Sequence, residues 1–322
     1  MKKRRLGNSG LEIAPLALGG NVFGWTADEA TCFRILDGFV DAGFNCIDTA
    51  DVYSAWAHNG YGGQSEEIIG KWFTRSGRRK DVILATKVGK EASPGKTGLA
   101  KSHIRSSVED SLKRLQTDYI DLYQSHDDDA KTPLEETLST YAELIQQGKV
   151  RAIGASNFTA KRLSEALQVS KQNGLPRYEA LQPLYNLYDR AVYEAELEPL
   201  CSKEHIGVIT YYSLGAGFLS GKYRSEADLT GRARGGTVKK YLNERGLSIL
   251  KALDEVAKRQ NVTPAQVAIA WLIARPSVTA PIVSATNSEQ LQTLIQAAQV
   301  NLDRDAIDTL DRASAEKTAA AR

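Results

Sequence analysis

Several side chains of complementary proton chemistry fall just after short apolar runs in this sequence. Asp48-Thr49-Ala50-Asp51-Val52-Tyr53 ends one run, Thr86-Lys87 ends the next, and Gln124-Ser125-His126 ends the one after. An acid, a phenol, an ammonium and an imidazole facing one pocket make a phenolic proton donor with a means of adjusting it. Free tyrosine titrates near about 10, and a neighbouring ammonium favours the phenolate, so Lys87 is expected to lower the pKa of Tyr53. Asp48 would hold Lys87 in place, and His126 would hydrogen-bond and orient a substrate oxygen. Singly, each residue has a bland reading: a strand-end lysine is usually a solvated charge, a lone histidine a satisfied core group. Their joint placement at the same end of consecutive strands argues for proton donation to a developing alkoxide.

Other chemistries find less support. His58, His103, His126 and His205 lack ligand spacing and no cysteine pair is close, so no metal is expected. A Gly-x-Ser-x-Gly elbow is absent. Asp127-Asp128-Asp129 could hold Mg²⁺, but is expected to cap the helix starting near Pro133. Gly89 to Thr97 mimics a phosphate loop, yet has five residues between its glycines, one of them Pro94, where the cradle needs four. The segment Tyr211 to Lys222 is more suggestive. Its alternating small residues let a backbone approach a pyrophosphate, Lys222 supplies charge, and an aromatic at a strand end can stack on a nicotinamide. A pocket with a proton donor but no covalent nucleophile still needs a bound hydride source.

Strands whose carboxyl ends converge would position such a set. Eight short apolar runs alternate with helical-period segments: Leu16–Gly19, Phe44–Asp48, Val82–Lys87, Ile120–Ser125, Val150–Ser156, Ala180–Pro183, Gly207–Tyr211 and Ala280–Val283. Helices are expected over Asp28–Ala42, Ser65–Thr74, Lys101–Leu115, Pro133–Gln147, Ala160–Gln172, Glu194–Glu204, Asn243–Gln260, Pro264–Ala274, Glu289–Ala298 and Arg304–Ala313. Eight βα units without a linker predict one α/β domain over 1–322, a closed (β/α)8 TIM barrel. An N-terminal hairpin from Arg4–Leu6 and Leu11–Ile13 precedes it, a long loop from Lys222 to Tyr241 covers the site, and helices end the chain. The alternative, an open doubly wound sheet, would show a phosphate fingerprint after Leu18, and Gly19-Gly20-Asn21-Val22-Phe23-Gly24 lacks that spacing.

Composition narrows the partners. The 41 basic residues against 39 acidic ones give a net charge of +2, too little field for nucleic acid. No run approaches a membrane span, and Glu12 and Pro15 stand where a signal peptide needs apolar residues, so neither membrane nor export is expected. Cys32, Cys46 and Cys201 read as buried free thiols of a reducing cytoplasm. A small molecule is the expected partner, with a homo-oligomer left open. Trp25, Tyr53, Trp56 and His58 would form an aromatic wall for a ring-bearing carbonyl.

With these residues in view, the chain resembles the aldo-keto reductase superfamily from about Arg5 to Ala313. The resemblance rests on Asp48-Thr49-Ala50 with Tyr53, Thr86-Lys87, His126, the run Gly148 to Phe158, and Gln182-Pro183-Leu184-Tyr185-Asn186. It implies an NADP(H)-dependent oxidoreductase interconverting a carbonyl and an alcohol, with Tyr53 as general acid, Asp48 and Lys87 tuning it, and His126 orienting the carbonyl. Ser156, Asn157 and Gln182 would contact the carboxamide, Tyr211 the nicotinamide ring, and Gly20 and Asn21 its ribose. Ser213, Leu214, Gly215, Gly217 and Lys222 would form the pyrophosphate loop, clamped by Arg232. Around Ser284, Thr286 and Gln290 no basic residue matches the usual 2'-phosphate clamp. This is similar to the branch of bacterial reductases and potassium-channel β-subunits; NADP is expected there, with NAD as the alternative. Tyr212-Ser213 replaces a usual Ser-Pro pair. The branch also implies a competing role, an NADP(H)-binding redox-sensing subunit with slow chemistry. His126 argues against it, because the channel subunits carry Asn there.

Overall fold

The computed structural model describes residues 2–316; Met1 and 317–322, the ends of the expected 1–322 span, lie outside the described residues. The hairpin pairs β1 (Arg4–Arg5) with β2 (Glu12–Ile13) antiparallel. Eight parallel strands follow: β3 (Ala17–Gly19), β4 (Cys46–Asp48), β5 (Ile83–Val88), β6 (Ile120–Ser125), β7 (Val150–Ser156), β8 (Tyr178–Gln182), β9 (Gly207–Thr210) and β10 (Ala280–Val283). They close in the order β10-β3-β4-β5-β6-β7-β8-β9, a (β/α)8 barrel as the alternation of runs predicted. Closure is made by β10, which pairs Ile282 with Ala17 on one side and Ala280 with Ile209 on the other.

The helices are α1 (Glu29–Asp41), α2 (Gln64–Ser76), α3 (Lys101–Leu115), α4 (Leu134–Gln146), α5 (Ala160–Asn173), α6 (Glu198–Glu204), α7 (Gly235–Val238), α8 (Glu244–Gln260), α9 (Pro264–Ala274), α10 (Ser288–Ala297) and α11 (Arg304–Ser314). Local chemistry sets their ends. Asp28, Thr159, Asn243, Asn287 and Asp303 cap their helices through side-chain oxygens, and Thr263 with Gln266 forms a reciprocal cap.

Three expectations need correction. The run Glu194–Glu204 is not one α-helix: Tyr193–Leu197 widens into a π-turn before α6, where Pro199 has no N–H to give to the preceding turn. The segment Lys222–Tyr241 is not plain loop, since it holds 3₁₀ turns at Glu226–Leu229 and Lys239–Tyr241 with α7 between them. Nor do Asp127, Asp128 and Asp129 cap α4. Asp127 pairs with Lys90 and Asp128 with Arg162, while Asp129 accepts from Leu99 N and Thr132 Oγ1.

Inside the barrel, one layer consists of Ala17, Cys46, Ala85, Leu122, Ala152, Ala180, Ile209 and Ala280, and Leu6, Leu11 and Ile13 of the hairpin segment pack against it from the floor. Strand side chains alternate between faces, so the next inward layer toward the carboxyl ends lies two residues on. That layer holds Gly19, Asp48, Lys87, Gln124, Gly154 and Gln182, six positions that are polar or without a side chain, and closes with Tyr211 and Ile282. A methyl at Gly154 would lie 3.1 Å from Ala180 O and Gln124 Cγ, so even the glycine is fitted to its polar neighbour.

Candidate active site

Lys87 is fully buried and spends its three ammonium protons on Asp48 Oδ2 (2.7 Å), Thr49 O (2.8 Å) and Tyr53 Oη (2.9 Å). The Tyr53 hydroxyl donates in turn to Asp48 Oδ2 at 3.2 Å. The other carboxylate oxygen of Asp48 accepts from Gln182 Nε2 at 2.8 Å and Gln124 Nε2 at 3.4 Å. Asp48 and Lys87 come from adjacent strands, and Tyr53 from the turn after β4. That turn is anchored by Ser54, which sits at φ 72° and donates to Phe23 O at 2.7 Å.

Burial and Asp48 together push the Tyr53 phenol well above the usual tyrosine range. The expected lowering by Lys87 is therefore corrected. The ammonium is matched by Asp48 in the same cluster, and removal of the hydroxyl from water opposes the phenolate more than Lys87 supports it. Burial also lowers the pKa of Lys87, against the pull of Asp48. His126 is 8% exposed, its Nδ1 is buried without a hydrogen-bond partner, and its ring lies 6.0 Å from that of Tyr53. Burial, then Lys87 and Lys90, hold its pKa well below the usual histidine value, so the imidazole is neutral.

The other expected residues fall around this cluster. Ser156 donates to Gln182 O at 2.9 Å; Asn157 donates to His126 O at 2.8 Å and accepts from Tyr211 Oη at 2.7 Å. Gly20 N donates to Asp48 O, and Asn21 Oδ1 accepts from Ser284 Oγ at 2.6 Å, which joins the first and last barrel strands at the pocket. Thr286 bonds Gln290 Oε1 through both its N–H and its hydroxyl. Gly215 (φ 54°), Ala216 (φ 56°) and Gly217 (φ 97°) make a left-handed turn after Leu214, where a methyl on Gly217 would meet Lys222 Nζ at 3.5 Å. A glycine turn beneath an ammonium is a donor set suited to a pyrophosphate. Ser213 points elsewhere: it is buried and donates to Ile282 O at 2.7 Å, tying the end of β9 to β10. Tyr212, which stands where the usual pair has serine, is left-handed at φ 53°.

On the opposite side the rings of Trp25, Trp56 and Tyr53 meet in sequence, at 5.5 and 6.2 Å between centroids. His58 joins through Nε2, 2.7 Å from Gly24 O. Arg232 is exposed with Asp228 as an electrostatic neighbour, whereas Arg234 lies over Trp25, 5.7 Å from its centroid.

Sequence reasoning overlooked Gln124 and Arg234, and also the support behind Lys87. Gln124 was legible, since it precedes His126 by two on the inward face. Behind β5, Thr86 donates to Glu66 Oε1 at 2.6 Å and Arg114 pairs with Glu66 at 2.7 Å. Beside them Asp51 has both carboxylate oxygens buried without a partner, and burial and then Glu66 push its pKa well up. No group of three or more metal-ligating side chains able to hold an ion occurs among the described residues.

Comparison with known proteins bears on this arrangement. Residues 15–315 match the family described as the aldo/keto reductase family. An uncharacterized oxidoreductase, YrpG, of Bacillus subtilis is 35% identical over 319 residues, covering 97% of this chain and 95% of its own. Protein tas of Escherichia coli is 32% identical, covering 97% of each chain. A probable voltage-gated potassium channel subunit beta of Arabidopsis thaliana is 34% identical, covering 93% of this chain and 92% of its own.

Proposed function

The chain belongs to the aldo/keto reductase family and is an oxidoreductase of CH–OH and carbonyl groups; from that premise we propose that it reduces an aldehyde or ketone with NADP(H), Tyr53 being the general acid. The observation that carries this reading is the contact of Tyr53 Oη with Lys87 Nζ at 2.9 Å, inside a pocket rimmed by the nicotinamide-contact candidates.

A bound nicotinamide supplies the hydride, and the remaining steps fall to side chains of this chain. His126, neutral and with a free ring nitrogen, donates a hydrogen bond to the carbonyl oxygen and sets its position. As negative charge develops on that oxygen, the Tyr53 hydroxyl turns from Asp48 and gives up its proton. Lys87 stabilises the phenolate left behind, and Asp48 keeps Lys87 charged despite its burial. A phenol held above its usual pKa stays protonated at neutral pH, which favours the reductive direction; alcohol oxidation needs the phenolate and gains with rising pH.

For the cofactor, the Gly215–Gly217 turn with Lys222 fits the pyrophosphate, and Arg232 of the covering segment would clamp it. Ser156, Asn157, Gln182 and Tyr211 fit the nicotinamide, and Gly20 and Asn21 its ribose. Ser213 and Leu214 serve through their backbone, and Ser284, Thr286 and Gln290 offer small polar groups to a 2'-phosphate. NAD is the alternative, because residues 284–290 carry no basic side chain. The aromatic wall suits a ring-bearing carbonyl. The three buried free cysteines support a reducing, cytoplasmic setting, and no helix among the described residues is long and apolar enough to cross a membrane.

Tyr53→Phe tests the assignment. Reduction of 4-nitrobenzaldehyde should fall at least about a hundredfold while the NADPH Kd, read by fluorescence, stays within about twofold. Near-native turnover would move the general acid elsewhere. The relative named as a channel subunit favours a second reading, a redox-sensing subunit with slow chemistry. Turnover of the unmodified chain decides between them, because a sensor would bind NADPH yet reduce the aldehyde only over minutes.

A further inference from the structure

Arginines on this surface are commonly paired with carboxylates: Arg224 with Asp254 at 2.7 Å, Arg162 with Asp128 at 2.8 Å, Arg275 with Asp311 at 3.2 Å. Arg234 differs. It is half-buried, and among the described residues its guanidinium has neither a hydrogen bond nor a carboxylate partner; its neighbours are the ring of Trp25 and the phenols of Tyr212 and Tyr223. An unpaired guanidinium taken partly out of water is costly unless an anion completes it. Burial also pulls its pKa down, the direction that an incoming anion would reverse.

Its position says which anion. Trp25 stands in the wall that runs through Trp56 to the proton donor Tyr53, so Arg234 faces the substrate side of the pocket. Tyr212 stands beside it, 42% exposed, its strained backbone held by the bond of its carbonyl to Asn186 Nδ2 at 3.0 Å. A planar guanidinium presents two parallel donors, which a carboxylate matches with two acceptors. We propose that Arg234 anchors a carboxylate on the substrate, so that the natural substrate is an anionic aldehyde or ketone whose body lies along Trp25 and Trp56. This rests on the reductase reading above and adds to it a substrate class and a specificity-determining residue.

Calorimetric titration of the full chain tests it, with the aldehyde 4-formylbenzoate and its uncharged isostere 4-formylbenzamide. Each is titrated with and without saturating NADP⁺, which cannot reduce them. The parent is expected to bind the carboxylate at least about tenfold more tightly than the amide. Arg234→Met should erase that preference, Arg234→Lys should keep part of it, and both should bind NADP⁺ within about twofold of the parent. Equal binding of the two aldehydes by the parent would overturn the proposal. So would an Arg234→Met variant that loses NADP⁺ affinity and keeps the preference, since the guanidinium would then serve the cofactor. NADPH turnover is measured separately: its absence, with the carboxylate preference intact in the parent and erased in Arg234→Met, sinks the reductase reading and supports the anion site.

Discussion

Lys87 gives one proton each to a carboxylate, a carbonyl and a phenol, so Lys87→Met takes from Tyr53 the one cation in contact with its hydroxyl. The Tyr53 pKa, already raised, should rise further, because charge loss in a buried pocket outweighs solvation by any entering water. Reduction should fall at least about a hundredfold, and residual alcohol oxidation should appear only at higher pH than in the parent. A pH profile unmoved or shifted downward would leave Lys87 a structural partner of Asp48. His126 gives a stability prediction. Its folded pKa lies below the unfolded value of 6.5, so below that pH the unfolded chain binds the extra proton and stability falls as pH drops. His126→Gln should flatten the loss between pH 7 and pH 5, by up to about 1.4 kcal/mol per pH unit, as read by urea unfolding at both pH values. Asp48, Tyr53, Lys87 and His126 were legible because strand ends are short and the period of two is strict. Arg234 was not, because it lies in a segment without periodicity, and the direction of the Tyr53 pKa depends on desolvation that no sequence displays.

Apart from the helix expected over Glu194–Glu204 and the unforeseen α7, the strands and helices were legible to within a residue or two because their caps and apolar periods agree, as at Asp28, Thr159 and Pro264. Where packing decides, the sequence was silent. Gly70 reads as an ordinary flaw in α2, yet a Cβ there would lie 2.1 Å from Arg114 O at the end of α3. That close approach lets Glu66 on α2 meet both Arg114 and Thr86 behind the lysine strand. Gly70→Ala should therefore separate the two helices and lower stability by about 1–3 kcal/mol, the usual range for overpacking, measured by urea denaturation. An unchanged midpoint would show that α2 can shift without loss. The π-turn at Tyr193–Leu197 belongs to the same class: Pro199 was visible in the sequence, but the widened turn before it, with Tyr193 and Leu197 buried, was not.

Across the whole molecule one carboxylate of α11 gathers several donors. Asp311 of α11 accepts from Arg190, from Arg275 and from the indole N–H of Trp271, which joins three distant stretches of chain beside the barrel. The closing strand β10 is placed just as late in the chain. A parallel edge offers backbone donors and acceptors in a row, and here the edges of β3 and β9 stay open until β10 arrives. During synthesis that wait is long: at about 5–20 residues per second, some seconds to a minute separate the emergence of Ala17 from that of Ile282. Until then the nascent chain is an unfinished cylinder, whose first adhesive seam waits from the start and whose second appears with β9. A chain stopped after Pro276 should therefore leave a far larger fraction in the pellet than the full chain when both are made in a cell-free system and fractionated. Adding a chaperonin should rescue the full chain much more than the shortened one, because assistance can shelter an open seam but cannot supply the strand that seals it.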